Sequence, residues 1–139
     1  AYVSVPIMNV EASAGNGSVV NHENVADFMR VSDEWLRNTF HVSPKNVSIL
    51  PIRGDSMEPT IRSGELVLIE GVSADDNPSD GIYVIRIDDA ISVKRLQFLP
   101  NHKIRIVSDN RVFEPYELSL QNSPDFTIIG RVVAGLRSL

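Results

Sequence analysis

The segment that most constrains the fold is residues 82–96, where two apolar runs, 82–87 and 91–96, flank Asp88-Asp89-Ala90. A short polar turn between β-rich runs closes an antiparallel hairpin. Strands repeat every two residues, so Ser92, Lys94 and Leu96 share one face of the second strand, and Ile91, Val93 and Arg95 share the other. Ser92 can therefore reach Lys94. A lysine inside an apolar strand must either extend its amine to water or shed the proton in order to be buried. Lys94 is thus the residue of the hairpin that packing alone does not explain.

The rest of the chain continues in short β-rich runs separated by turn residues. Strands are expected at 3–10, 25–31, 47–52, 66–69, 103–107, 112–118 and 126–136. Leu66-Val67-Leu68-Ile69 is a continuous apolar run suited to burial on both faces. Pro115 makes its strand an edge or breaks it. Ser32 is a natural N-cap for a short helix, with Asp33 and Glu34 favouring its dipole. Trp35, Leu36, Thr39 and Phe40 would form one face of that helix, with Trp35 and Phe40 in the core. Pro44 closes the helical unit, and Ser63-Gly64 reverses the chain before residue 66. The class is mostly β, without internal repeats.

With 139 residues and 42% hydrophobic content, the chain can bury one core, which implies a single domain. A net charge of −5 opposes a duplex-binding face, because such faces concentrate Lys and Arg. The absence of cysteine removes disulfides and thiolate chemistry and fits a cytoplasmic location. No run reaches the ~18 apolar residues of a membrane span. Ala12-Ser13-Ala14 has the form of a signal cleavage site, but the segment before it lacks a basic region and is broken by Pro6, Asn9 and Glu11. The start at Ala1 suggests a fragment. The carboxylates of residues 75–81 read as a solvated turn, since Pro78 stands where a calcium loop needs Asp or Asn, and no metal or other cofactor is expected. His22, His41 and His102 show no ligand spacing and belong on loops or the surface. Sequence alone leaves a Ser-His-Asp triad open, because triad members lie far apart in a chain.

Chemistry is carried by Gly54-Asp55-Ser56-Met57-Glu58-Pro59-Thr60-Ile61. A serine between a glycine turn and a short proline-containing helical turn has an exposed hydroxyl and free backbone N–H groups beside it. That is a nucleophile's setting, and the base best placed for it is Lys94. The conjunction is more specific than any one motif: the Ser56 segment, then Leu66-Val67-Leu68-Ile69, then Ser92-Val93-Lys94-Arg95-Leu96, then Ser108-Asp109-Asn110. Upstream, residues 11–18 form a loop of small residues with Gly15 and Gly17, which could thread into a narrow site.

In this order the segments resemble the serine-lysine self-cleaving domain of the LexA and phage CI repressors, a family that also includes UmuD, over essentially the whole chain. The resemblance implies a LexA/signal-peptidase-like fold of small twisted sheets with one or two short helices. Residues 1–139 would be a single C-terminal domain for self-cleavage and dimerisation, with a cleavage loop near 11–18. The N-terminal helix-turn-helix domain of the parent, through which operator DNA is bound, would be absent. The resemblance makes Ser56 the nucleophile, Lys94 the base, and Ser92 the hydroxyl that orients the lysine. Backbone N–H groups of Asp55 and Ser56 would form the oxyanion hole, and Ala14-Gly15 would be the scissile bond. It further implies an activated RecA filament as the agent that promotes cleavage, and a homodimer, for which the edge of strand 126–136 is a candidate contact. Two rivals stand beside it. One is a non-cleaving dimerisation module controlled by an antirepressor, against which the intact Ser56, Lys94 and Ala14-Gly15 argue. The other is a serine-lysine peptidase acting in trans, as signal peptidases do, which the missing membrane anchor weakens.

Overall fold

Turn chemistry sets the strand boundaries. Asp88 and Asp89 both take left-handed φ values, 49° and 69°, the conformation that a tight hairpin turn requires because it matches the twist of the flanking strands. Asn101 and His102 do the same, at 66° and 59°, and Gly64 turns at 93°. The computed structural model describes residues 1–9, 24–73 and 75–139. Its strands are β1 (Tyr2–Met8), β2 (Val25–Ser32), β3 (Val47–Pro51), β4 (Leu66–Gly71), β5 (Gly81–Ile87), β6 (Ala90–Leu99), β7 (Lys103–Val107), β8 (Tyr116–Ser119) and β9 (Phe126–Leu136). The helix α1 (Asp33–Phe40) begins where Ser32 Oγ accepts from the Trp35 N–H. A single 3-10 turn, Pro44–Asn46, follows it. Among the described residues no helix is long and apolar enough to cross a membrane.

The mostly β class is as expected, but the strands form one continuous sheet of nine in the order β2-β1-β3-β4-β9-β5-β6-β7-β8, rather than several small ones. Among the described residues only β1 and β3 pair in parallel, at Ile7 and Ile49. The strand that makes the sheet continuous is β9. Its first half pairs with β5 and its second with β4, the two ladders overlapping at Gly130 and Arg131. Strand 126–136 is therefore flanked on both edges only where the two ladders overlap, and among the described residues no strand pairs with the β5-side edge of its last residues, 132–136. A Cβ on Gly130 would meet the Ile69 side chain and approach the Glu70 carbonyl to 2.8 Å. Only glycine lets β4 lie this close.

Three apolar clusters line the sheet. The one that matters for the site joins Leu50 and Ile52, from β3 and the residue after it, with Val67 and Ile69 of β4, Val84 of β5, Val93 of β6, and Met57 and Ile61 of the intervening loop. In a flat sheet β3 and β6 would stand four strand spacings apart, about 19 Å. Twist and coiling of the sheet bring them to a common core. In the helix, Leu36 is the buried residue, while Trp35 is 48% exposed, contrary to its expected place in the core. Its ring meets Phe40 edge to face at 5.1 Å. An eight-residue helix lying over a sheet margin can bury only a narrow stripe.

Gly130→Ala should lose about 1–3 kcal/mol, because the added methyl has backbone on one side and a buried isoleucine on the other. Gly135→Ala, in the same strand with nothing within 4 Å of its Cβ position, should stay within about 0.5 kcal/mol of the parent. Urea unfolding of the two variants measures both, and equal stabilities would show that the Gly130 approach does not constrain the sheet.

Candidate active site

Ser56 lies on the loop between β3 and β4. The neck of that loop is closed by Ile52 N–H to the Glu65 carbonyl and Gly64 N–H to the Ile52 carbonyl, both 2.8 Å. Gly54 enters the loop at φ 89°, a conformation costly for any residue with a Cβ, and its N–H is held by Ser63 Oγ at 3.2 Å. Beyond it the backbone runs through successive turns instead of the expected helical turn, with Glu58 N–H to the Asp55 carbonyl at 3.1 Å and Ile61 N–H to the Met57 carbonyl at 2.9 Å. Met57 and Ile61 are buried at 2% and 6% exposure, which anchors the loop in the core beneath β3. Ser56, one residue before this anchor, stays half-buried at the surface of the same cluster.

Lys94 is on β6. Arg95 pairs with Val107, so the antiparallel ladder puts Lys94 opposite Ser108, just beyond the end of β7. Lys94 Nζ donates to Ser108 Oγ at 2.9 Å, and the Phe113 ring lies 5.8 Å from the amine. Burial lowers the pKa of Lys94 below that of an ordinary lysine, because the charged form is the one that loses hydration. The two residues after Ser108 make further bonds. Asp109 receives two hydrogen bonds of 2.8 Å from Arg95 and one from Thr60 Oγ1. Asn110 donates its backbone N–H to the Ser56 carbonyl at 3.0 Å and its Nδ2 to the Asp55 carbonyl at 3.1 Å. Three consecutive residues thus tie Lys94, Arg95 and the Ser56 turn into one unit.

Beside this unit is a groove of about 250 Å³ with walls of Leu50, Ile52, Met57, Ile91 and Val93, into which Ser56 and Ser92 also face. The structure brings Ser56 and Ser92 to one groove and joins Lys94 to the Ser56 turn through residues 108–110. It does not use Ser92 as the hydroxyl partner of Lys94. Residues i and i+2 of one strand stand nearly two rises apart, whereas cross-strand partners are nearer, and the hydroxyl that Lys94 bonds is that of Ser108. The carbonyls of Asp55 and Ser56 point to Asn110. In a trans peptide the N–H is opposed to the carbonyl of the preceding residue, so the Ser56 N–H is directed away from Asn110. Ala14 and Gly15 lie outside the described residues. The ends of that loop are described: Asn9 N–H donates to the Asn24 carbonyl at 2.6 Å. Met8 and Val25 pack on the same apolar cluster that lines the groove. His41 caps α1 and His102 sits in the β6–β7 turn, both exposed, as expected of them. His22 is outside the described residues.

An alcohol, an amine that gives up its proton more easily than usual, and a backbone N–H beside an apolar groove are components of acyl transfer. The Peptidase S24-like family model matches residues 6–133. The chain is 31% identical over 135 residues to the 26 kDa repressor protein of Escherichia phage HK022, covering 95% of this chain and 57% of that protein. It is 32% identical over 133 residues to the repressor protein CI of Enterobacteria phage phi80, covering 94% and 54%. An uncharacterized HTH-type transcriptional regulator of Haemophilus influenzae is 27% identical over 126 residues, covering 90% and 52%. The chain spans little more than half the length of each of these relatives.

The hydrogen bonds from Arg95 and Thr60 hold the Asp109 carboxyl below the usual carboxylate range. A depressed folded-state pKa contributes stability that is present above the ordinary value of ~3.9 and fades as pH falls through the folded value. Asp109→Asn should accordingly cost about 1–2 kcal/mol at neutral pH, and the difference from the parent should close on acidification below about pH 4. Chemical denaturation from neutral to acid pH measures this, and a gap that stays constant with pH would remove the charge of Asp109 from the explanation.

Proposed function

Because the chain belongs to the Peptidase S24-like family, we propose that it is the self-cleaving, dimerising part of a LexA/CI-like phage or prophage repressor, with a Ser56/Lys94 dyad that cuts Ala14-Gly15 in the same chain. The observation that carries the reading is the joint placement of Lys94 and the Ser56 turn by residues 108–110, with the lysine half-buried and its pKa lowered by that burial.

Neutral Lys94 takes the proton from Ser56 Oγ as the oxygen adds to the Ala14 carbonyl carbon. The tetrahedral oxyanion is met by backbone N–H groups of the Asp55–Ser56 turn. As the C–N bond breaks, the Lys94 ammonium gives its proton to the Gly15 nitrogen and leaves Ala14 as an ester on Ser56. Water, deprotonated by the same amine, then hydrolyses the ester and restores Ser56. One lysine serves in turn as base and acid, which needs a pKa below that of a solvated lysine. The apolar groove favours small residues such as those of 11–18. The shared core beneath Ser56 and the ends of that loop, Met8 and Val25, supports delivery within one chain.

The relatives carry repressor names, and in the family this domain joins two DNA-reading heads on a two-fold operator. Cleavage separates heads from dimeriser, promoted by an activated RecA filament that raises the fraction of loop engaged at the site. The last residues of β9, paired with β4 along one edge alone, are the candidate for the two-fold contact, and the outer strands β2 and β8 are further sheet edges.

The purified chain should cut itself at Ala14-Gly15 on alkaline incubation, at a rate independent of protein concentration. Below the Lys94 pKa that rate should rise about tenfold per pH unit and level off below ~10.4. Ser56→Ala and Lys94→Ala should each abolish the cut while the protein stays folded. Mass spectrometry of timed samples reads all of this; second-order kinetics, another cut site or an active Lys94→Ala variant would contradict it. A lowered lysine pKa is a stability cost at neutral pH that disappears as pH rises from the folded value toward the unfolded one. Lys94→Ala should therefore be no less stable than the parent at neutral pH beyond the packing it loses. Sedimentation should find a dimer, and a monomer at high micromolar concentration would overturn the dimerising role.

A further inference from the structure

We infer that Ser108 is a positioning residue for Lys94, supplying the hydroxyl acceptor that fixes the amine beside Ser56; this rests on the dyad reading above. A lysine amine is a compact group on four rotatable bonds, and a base must hold one lone pair on the proton it removes. Ser108 Oγ accepts from Nζ at 2.9 Å. Its own place is set on one side by the β6–β7 register and on the other by the anchored Asp109 and Asn110. An amine that donates one N–H to Ser108 directs its lone pair elsewhere. After Ser56 gives up its proton, the same hydroxyl remains as an acceptor for the ammonium in a half-buried site.

The neighbouring groups leave this contact to define the local polarity. Arg95 and Asp109 pair with each other. Tyr83, the β5 partner of Lys94, is a buried phenol whose pKa burial raises, so it stays uncharged where the lysine titrates. Phe113 is apolar. Sequence pattern had no means to select Ser108 over Ser92, because the choice depends on which strand pairs with β6.

The test compares Ser108→Thr, which keeps a hydroxyl, with its near-isostere Ser108→Val and with Ser108→Ala. In the cleaving chain, Val and Ala should lower the alkaline plateau by about tenfold or more and move the inflection to lower pH, since the ammonium loses its acceptor. Thr should restore both to within about threefold. Independently, the Lys94 amine of isotope-labelled protein is titrated by NMR in a Ser56→Ala background, where no cutting occurs. Its pKa should fall with Val and Ala and return with Thr. A parent-like profile and titration in Val or Ala, or Thr behaving as Val does, would overturn the role of Ser108. Cleavage that persists in Ser56→Ala or Lys94→Ala would instead bring down the dyad, while the titration would still read the Ser108 contact.

Discussion

Asn110 holds together two stretches of chain 55 residues apart, through Nδ2 to the Asp55 carbonyl and its backbone N–H to the Ser56 carbonyl. Both bonds fall on the same side of the turn, and peptide planarity then sends the Ser56 N–H to the other side. The loop is also anchored by its neck, by Met57 and Ile61 in the core and by Thr60 on Asp109. The same segment carries Ser108 against Lys94 and Asp109 against Arg95 and Thr60. Precision in the site thus comes from three adjacent residues that each bind a different element.

That arrangement is possible because the sheet folds across itself. β4, β9 and β5 stand between the strand that leads to Ser56 and the strand that bears Lys94. β9 couples the two halves, with a glycine where the ladders overlap. Register shifts occur beside it at Leu68/Ile69 and at Val84/Ile85, and such irregularities raise local twist. Twist places Leu50 and Val93 in a single apolar cluster and opens the groove along its margin. Half-burial of Lys94 on the other face of β6, beside its cross-strand partner Tyr83 and the Phe113 ring, then makes the ammonium easier to deprotonate.

Much of the fold was legible because its signals are local. The Asp88-Asp89 turn, the Ser32 cap, the reversal at Gly64 and the break at Pro115 all lie where residue chemistry indicated. Trp35 was not, since burial of a helix face depends on what lies beneath it, and α1 covers a margin rather than the sheet centre. The division of β9 between β5 and β4 was not legible either, because an apolar run does not encode which strands will be its neighbours. For the site, Ser56 and Lys94 could be singled out from a hydroxyl in a glycine turn and a cation in an apolar strand. Ser108, Asp109 and Asn110 showed only as a segment in the right order. Their roles are cross-strand and cross-loop, and no spacing within the sequence encodes which strand is a neighbour.

The central claim is that Ser56 is made nucleophilic by Lys94, and a serine-directed fluorophosphonate tests it without dependence on the cleavage loop. Peptide mapping of the labelled protein should find the phosphonyl group on Ser56, formed faster as the Lys94 amine is deprotonated and lost in Lys94→Met. Labelling of Ser56 that proceeds unchanged without Lys94, or a label carried by a different serine, would contradict it.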